Sequence, residues 1–203
     1  MKAIFYDWGG ANVWLFHVIN GLHSAFMDRF MMIGTLLAGH GNFPVYLGFS
    51  CLFAIGSISG DRINQPELTR KMAVNWLAAI SVFCIAYMLD EQMLDLVKPW
   101  LDFPRPLLAL PPASVHVFGR PEYHYSFPSG HASFAMLAVS SLWPMMQKHA
   151  RLFGIFFVIW VGFSRIILGA HFPADVLAGY LSAFLIVLLV RKVLESTLAP
   201  HLD

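Results

Sequence analysis

"YSFPSGHASF", residues 125–134, lies where a proline-rich loop meets an apolar run. A helix that only crosses a bilayer does not need Pro128, Gly130 or His131 at this junction. A helix that begins at Ser129-Gly130 leaves its first backbone N–H groups free, and its dipole places partial positive charge there. The stretch therefore predicts an anion-binding helix N-terminus at the edge of an apolar segment.

The composition around this junction is typical of a membrane protein. Of the 203 residues, 58% are hydrophobic and 12% are charged, and the mean hydropathy is +0.63. The net charge of +1 gives no reason to expect nucleic-acid binding, and the basic residues are too scattered to form a continuous basic stripe. Cys51 and Cys84 lie in apolar runs, which indicates buried hydrophobic side chains. The N-terminus shows no small-residue cleavage site, so we expect it to be retained.

Six segments have about the 20 residues that a helix needs to cross a bilayer core. They are residues 11–37, 43–60, 72–97, 130–147, 151–169 and 173–195. The first segment carries a polar stripe, His17, Asn20, Ser24 and Asp28, so it either spans with the stripe turned inward or lies in the interface. With no internal repeat, the sequence predicts an all-α integral membrane protein, a six-helix transmembrane bundle in a single domain over residues 1–203.

The basic residues predict the orientation of this bundle. One group falls on a single side, expected to be the cytoplasm: Lys2, Arg62, Arg70, Lys71, Lys148, Arg151, Arg191 and Lys192. A second group falls on the outer side, where topology does not favour it: Lys98, Arg105, Arg120 and Arg165. The last four helices meet at that side, and the long loop 98–129 connects two of them. We therefore expect the active site at the outer, periplasmic face.

The residues on this outer face suit a phosphate group. Lys98, Arg105 and Arg165 supply full charges and guanidinium forks that match phosphate oxygens. Ser129 and Gly130 add backbone donors at the helix start. The sequence therefore predicts a phosphate-binding site.

Two histidines and an aspartate predict group-transfer chemistry at this site. His171 and Asp175 are four residues apart at the start of the last helix, so they share one helix face. The carboxylate is expected to hold one imidazole N–H, which leaves the other ring nitrogen free to attack. His131, from another helix, is the candidate proton donor to the departing oxygen.

Three motifs carry a resemblance to a known family. "KPWLDFPRP" (98–106) has the form K-x6-R-P, "PSGH" spans 128–131, and "SRIILGAHFPAD" (164–175) has the form S-R-x5-H-x3-D. In this order they resemble the signature motifs of the type 2 phosphatidic acid phosphatase superfamily. That superfamily includes bacterial undecaprenyl pyrophosphate phosphatases, soluble acid phosphatases and vanadium haloperoxidases. All three motifs are complete, and the helix pattern extends the likeness to nearly the whole chain.

The resemblance implies a role for each matched residue. His171 would be the nucleophile that forms a phosphohistidine, Asp175 its orienting partner, and His131 the acid for the leaving group. The phosphoryl oxygens would bind Lys98, Arg105, Ser129, Gly130 and Arg165. The scheme implies no metal ion and no other cofactor.

The resemblance also implies a phosphorylated lipid as substrate and a bacterial inner membrane as location. Undecaprenyl pyrophosphate is favoured because the likeness is to compact bacterial members. Phosphatidic acid, phosphatidylglycerol phosphate and lipid A stay open as substrates, as does transfer of the phosphoryl group to another lipid. A transporter that only holds phosphate in the same pocket is the alternative from a different class, although no interrupted midplane helix favours it.

Single residues of this set also have ordinary structural explanations. Arg165 alone would fit a snorkelling interfacial side chain, and Ser129 alone a common helix cap. Asp90, Glu91 and Asp95 form an acidic group that suits a hydrogen-bonded helix end better than a divalent-ion site. It is the coincidence of three motifs on one face that favours an enzyme.

Overall fold

The computed structural model of the chain describes residues 6–59 and 65–198. Within these ranges the chain is helical and forms no strand. The α-helices are α1 (Ala11–Asn20), α2 (Ala25–Leu37), α3 (Phe43–Ser59), α4 (Pro66–Leu101), α5 (Pro106–Ala109), α6 (Gly130–Leu142), α7 (Lys148–Ile167) and α8 (Pro173–Leu198). The all-α fold class expected from the sequence is confirmed.

Four described helical segments are long and apolar enough to cross a membrane. They are His40–Ser59, Pro66–Ala109, Lys148–Ile167 and Pro173–Thr197. Helix α6 has 13 residues, most of them buried, and it packs against α4, α7 and most extensively α8. It runs between the same two ends of the bundle as its neighbours. The described chain thus has four spans by length and apolarity, with α6 as a short helix at their centre, where the sequence predicted six spans.

The N-terminal region differs most from the sequence prediction. Residues 11–37 form two helices instead of one, because the chain turns at residues 21–24 and Ser24 caps α2, its Oγ accepting from the Met27 N–H at 3.2 Å. The Asn20 side chain donates to the carbonyl of Ile167 at the end of α7, at 2.9 Å. Thr35, near the other end of α2, is 2.9 Å from the Ser164 hydroxyl. Both helices therefore lie against one end of the bundle, and neither is among the candidate spans.

The remaining helices match the predicted ones with shifted bounds. Helix α4 extends at both ends of the predicted 72–97 and includes Pro99 in its last turn. Helix α6 stops at Leu142, and a 3₁₀ turn containing Pro144 follows it. Helix α8 begins at Pro173, as expected for a proline in a first turn. Both cysteines are free thiols.

The two ends of the bundle differ in their charged residues. The end formed by Leu101, Gly130, Ile167 and Pro173 is called the site end below. The other end carries the described basic residues that the sequence assigned to the cytoplasm: Arg70, Lys71, Lys148, Arg151, Arg191 and Lys192. Lys2 and Arg62 lie outside the described residues.

Close packing of α8 on α6 fixes the helix start at the site end. A Cβ atom on Gly179 would overlap the backbone carbonyl oxygen of Ser129 and lie 3.1 Å from the Ser133 nitrogen. The Ser129 N–H also donates to the Asp175 carbonyl at 3.0 Å. The backbones of the two helices therefore touch where Ser129 precedes α6.

Gly179→Ala should destabilise the protein because the added methyl group forces α8 away from α6. Overpacking of this kind costs about 1–3 kcal/mol of unfolding free energy, which corresponds to a melting temperature lower by roughly 2–12 °C for a chain of this length. Thermal unfolding in detergent measures the shift.

Gly56→Ala is the matched control, since nothing lies within 4 Å of a Cβ placed on Gly56. Its melting temperature should equal or exceed that of the wild type. Equal melting temperatures for all three proteins would show that this helix contact is loose.

Candidate active site

Basic side chains from three helix ends gather at the site end. Arg105 precedes α5 and is 8% exposed, while Arg165 lies in the last turn of α7 and is 7% exposed. Lys98, in the last turn of α4, is close enough to both arginines to interact with them electrostatically. The three cations predicted from separate motifs therefore lie together.

A carboxylate that the sequence analysis missed bridges the two arginines. One oxygen of Glu122, Oε2, is 2.5 Å from Arg105 Nη1 and 3.9 Å from Arg165 Nη2. The sequence signal for Glu122 is that it is the sole acidic residue between Arg105 and Pro128. Its oxygen occupies the position between two guanidinium groups that an anionic ligand would take.

His171 is 1% exposed and faces the cations through one ring nitrogen. Its Nε2 lies 3.2 Å from Arg105 Nη1. A guanidinium only donates hydrogen bonds, so Nε2 is the acceptor and the proton of the neutral ring is on Nδ1. Burial, together with the neighbouring Arg105 and Arg165 charges, holds the pKa of His171 well below its ordinary value. The ring is thus neutral, with the Nε2 lone pair directed toward the cationic cluster.

Asp175 lies beside the other nitrogen of His171. The Nδ1 and Oδ2 atoms are 3.4 Å apart, but their geometry is not that of a hydrogen bond, and Nδ1 has no other partner in the described part of the chain. Three donors hold the carboxylate: the Ser126 hydroxyl at 2.6 Å, the Phe172 N–H at 2.8 Å and the Tyr6 hydroxyl at 2.6 Å. The predicted pair is therefore adjacent, with a carboxylate fixed by partners that the sequence analysis missed.

Two buried donors of the predicted set have no partner within the described residues. They are the Ser129 hydroxyl and the Nε of Arg165. Arg165 is otherwise oriented by α2, since its Nη1 donates to the Thr35 hydroxyl at 3.2 Å. Buried polar groups are normally hydrogen-bonded. Buried donors without partners in two of the predicted phosphate-binding residues are consistent with a position for an anionic ligand.

His131 lies near these groups, in the first turn of α6. It lines a cavity of about 190 Å³ together with Arg120, Glu122 and Arg165. Its electrostatic neighbours include Lys98 as well. The predicted proton donor on α6 therefore shares a cavity with Arg165 of the cationic cluster, which lies on α7.

His40 lies on the side of Gly130 where a side chain would project. A Cβ on Gly130 would lie 3.1 Å from the His40 ring, so a side chain at this position would crowd His40. His40 Nε2 lies 3.4 Å from Asp90 and 3.3 Å from Glu91, and Asp90 accepts from the Ser133 hydroxyl at 2.5 Å. Two members of the acidic group on α4 thus have partners, since Asp90 is hydrogen-bonded and Glu91 lies beside His40. The backbone N–H is what Gly130 can offer to an anion.

A comparison with known protein families supports the resemblance based on the three sequence motifs. The family model described as the PAP2 superfamily matches residues 75–197, which is more than half of the chain. The chain belongs to the PAP2 superfamily. The match contains every residue of the predicted site, from Lys98 to Asp175.

Individual relatives share about a quarter of their residues with this chain. The chain is 26% identical over 156 residues to a lipid A 1-phosphatase of Rhizobium johnstonii, covering 72% of this chain and 61% of that protein. It is 26% identical over 172 residues to an undecaprenyl-diphosphatase of Sulfolobus acidocaldarius, covering 85% and 73%. The crystal structure of Aquifex aeolicus LpxE superposes with a TM-score of 0.73 at 23% identity, covering 90% of this chain and 95% of that one. At this identity, the likeness to LpxE shows a shared fold and nothing further.

Tyr6→Phe should slow turnover with little effect on substrate binding, because Tyr6 contacts Asp175 and none of the three cations in the described structure. A hydrogen bond to a charged group contributes about 1.5–3 kcal/mol, so loss of this bond should lower kcat roughly 10- to 100-fold. Steady-state kinetics separate kcat from KM.

Tyr123→Phe is the matched control, since Tyr123 is exposed on the loop beside the site. It should retain wild-type kinetics. A kcat for Tyr6→Phe within twofold of the control would contradict a role for Tyr6 in holding Asp175.

Proposed function

We propose that this PAP2-superfamily chain, as a single membrane domain, is a lipid phosphatase that works through a phosphohistidine on His171. The observation that carries the proposal is that one carboxylate oxygen of Glu122 lies between Arg105 and Arg165, while the acceptor nitrogen of His171 contacts the same Arg105 Nη1 at 3.2 Å. A phosphoryl group has the charge and the oxygen spacing to replace that carboxylate. The neutral Nε2 would then face the phosphorus atom.

In the first step, the Nε2 lone pair attacks phosphorus and the bond between phosphorus and the lipid oxygen breaks. Lys98, Arg105 and Arg165 neutralise the charge that develops on the phosphoryl oxygens. Ser129 and the Gly130 N–H add hydrogen bonds at the start of α6. His131 gives its proton to the departing oxygen, and Asp175 stabilises the positive charge that the His171 ring gains.

In the second step, water attacks the phosphohistidine. His131, now neutral, takes the proton from the water, the N–P bond breaks, and inorganic phosphate leaves with the enzyme restored. The charge of the substrate supports the first protonation, because a phosphate dianion brings negative charge to a His131 that is otherwise among cations. No step of this scheme uses a metal ion.

Glu122 occupies the phosphate position between turnovers of this cycle. Its carboxylate pairs with Arg105 and is also near Arg165, so the substrate must displace it before the phosphoryl group binds. Glu122 is about half exposed, with a side-chain exposure of 45%, and its loop position gives it room to move. The carboxylate thereby keeps the two guanidinium groups in position between turnovers.

The substrate is a phosphorylated lipid, and a polyprenyl pyrophosphate such as undecaprenyl pyrophosphate is the one we favour. The membrane spans and the names of relatives support a lipid, since one relative is an undecaprenyl-diphosphatase and another a lipid A 1-phosphatase. With a pyrophosphate, His171 would attack the terminal phosphorus and release the lipid monophosphate. Phosphatidic acid, phosphatidylglycerol phosphate and lipid A follow the same chemistry.

We also propose that the site faces the periplasm from the bacterial inner membrane. The six described basic residues at the end opposite the site support this orientation, because basic residues concentrate on the cytoplasmic side. The basic residues at the site end are mostly engaged in the cationic cluster. They therefore do not count as topology signals.

A panel of lipids tests the proposal. The purified chain in detergent should release inorganic phosphate fastest from a polyprenyl pyrophosphate, compared with phosphatidic acid, phosphatidylglycerol phosphate and lipid A at equal lipid-to-detergent ratio. His171→Ala should lower every rate by about 1,000-fold or more, as expected for removal of a nucleophile. His149→Ala, at an exposed position in the first turn of α7, is the control and should keep wild-type rates.

The alternatives give different results in the same assay. A transporter would bind phosphate without releasing any from lipid, and His171→Ala would change nothing. A phosphotransferase would move the phosphoryl group to an acceptor lipid and release little free phosphate. Equal rates of phosphate release by the wild type and His171→Ala would contradict the phosphohistidine mechanism.

A further inference from the structure

Three potential metal ligands meet beside the active site without belonging to it. His23 lies in the turn between α1 and α2, Asp28 in the first turn of α2, and His116 in the loop that follows α5. One ligand atom from each lies within 4.8 Å of the others. Imidazole nitrogens and a carboxylate are ligands that Zn²⁺ takes in proteins.

The spacing of these atoms is close to that of a zinc site. His116 Nε2 is 3.1 Å from each of the two Asp28 oxygens. The rings of His23 and His116 stack with centroids 3.8 Å apart and planes 11° from parallel. With Zn–N and Zn–O bonds of about 2.0–2.1 Å in a tetrahedron, two ligand atoms lie roughly 3.4 Å apart. Two of the ligands are already near this separation. The His23 ring must turn out of its stack with His116 to point a nitrogen at the same ion, and its exposure leaves room for that rotation.

Two of the three ligands are held by their surroundings. The His116 backbone is fixed from both sides by Asn20, whose Oδ1 accepts from the His116 N–H and whose Nδ2 donates to its carbonyl, both at 2.9 Å. Gly169, with φ +74°, has no Cβ because the His116 carbonyl takes that space. Asp28 is 5% exposed. Prepositioned ligands of this kind lower the cost of ordering a metal site.

The charge at this position also favours a cation. Asp28 is a nearly buried carboxylate, and burial of a carboxylate is unfavourable unless a partner compensates for it. Its contact here is His116, with a second imidazole stacked behind it. A divalent ion would compensate for the carboxylate and use both imidazoles in their neutral form.

We propose that His23, Asp28 and His116 bind one Zn²⁺ ion, with water completing the coordination. The ion ties the turn between α1 and α2 to the loop that carries His116. That loop continues into Val117, Gly119 and Arg120, which line the cavity beside His131. Zinc at this position fixes one wall of the active-site cavity, and it takes no part in the transfer of the phosphoryl group.

Metal binding by the purified chain tests the proposal. The full chain, in detergent and without a polyhistidine tag, is stripped with a chelator and titrated with Co²⁺ and then Zn²⁺. We expect visible Co²⁺ absorption typical of low coordination number, displaced by one equivalent of Zn²⁺ per chain. His23→Gln should weaken Zn²⁺ binding at least about tenfold, in line with the loss of one ligand. His149→Gln, with another exposed histidine removed, should bind as the wild type does.

A second readout separates a metal site from a folding defect. The metal-free His23→Gln protein should match the metal-free wild type in melting temperature and in phosphate release, since His23 is exposed and outside the cationic cluster. Added Zn²⁺ should raise the melting temperature of the wild type and slow proteolysis of the loop around His116, with neither effect in His23→Gln. Mass action links such stabilisation to binding.

Two results would overturn the proposal. The first is a wild-type chain that binds no Zn²⁺ at micromolar concentration, in which case Asp28 and His116 form only an ion pair. The second is equal binding by His23→Gln and the wild type, which would place the ion on other histidines, His131 and His171 among them. Because neither result depends on lipid hydrolysis, failure here leaves the proposed phosphatase activity untouched.

Discussion

The structure depends on the compensation of buried positive charge at one end of an apolar bundle. Arg105 and Arg165 are both largely removed from solvent, and Lys98 adds a third charge within electrostatic range. Such a cluster is unfavourable unless an anion lies among the cations. Glu122 supplies part of that negative charge in the described structure, and Asp175 lies behind His171. A phosphate dianion would supply more, which makes substrate binding and charge compensation one event.

The fold brings these charges together through helix ends. The cations lie at or just beyond the ends of α4 and α7, while His131 and Asp175 lie in the first turns of α6 and α8. Because the helices alternate in direction, the ends of two and the starts of two others meet at the same end of the bundle. The first turns also place free N–H groups there, as at Ser129-Gly130. The N-terminal region then covers this end. Thr35 of α2 orients Arg165, and Tyr6, which precedes α1, holds Asp175.

Much of this arrangement was predictable because the signals are local. The i, i+4 spacing fixes His171 and Asp175 on one face, and the alternation of spans brings distant motifs to one end. What the sequence did not predict depends on tertiary packing. Apolar residues on both sides of residues 21–24 suggest one helix, although Ser24, which caps α2, is a local signal of the break. The bonds from Asn20 to α7, which hold the turn in place, depend on tertiary packing. Tyr6 is 169 positions from Asp175, so no sequence pattern pairs them. Glu122 carried a weak signal, as the sole acidic residue between Arg105 and Pro128.

The account's central claim is that the cations hold a phosphoryl group against Nε2 of His171. The most direct measurement is a structure of the protein with orthovanadate, which adopts the geometry of a phosphoryl group in transfer. The account predicts vanadium bonded to His171 Nε2, with oxygens in contact with Lys98, Arg105 and Arg165 and with Glu122 displaced. Vanadate bound through Nδ1, or bound away from the three cations, would contradict it.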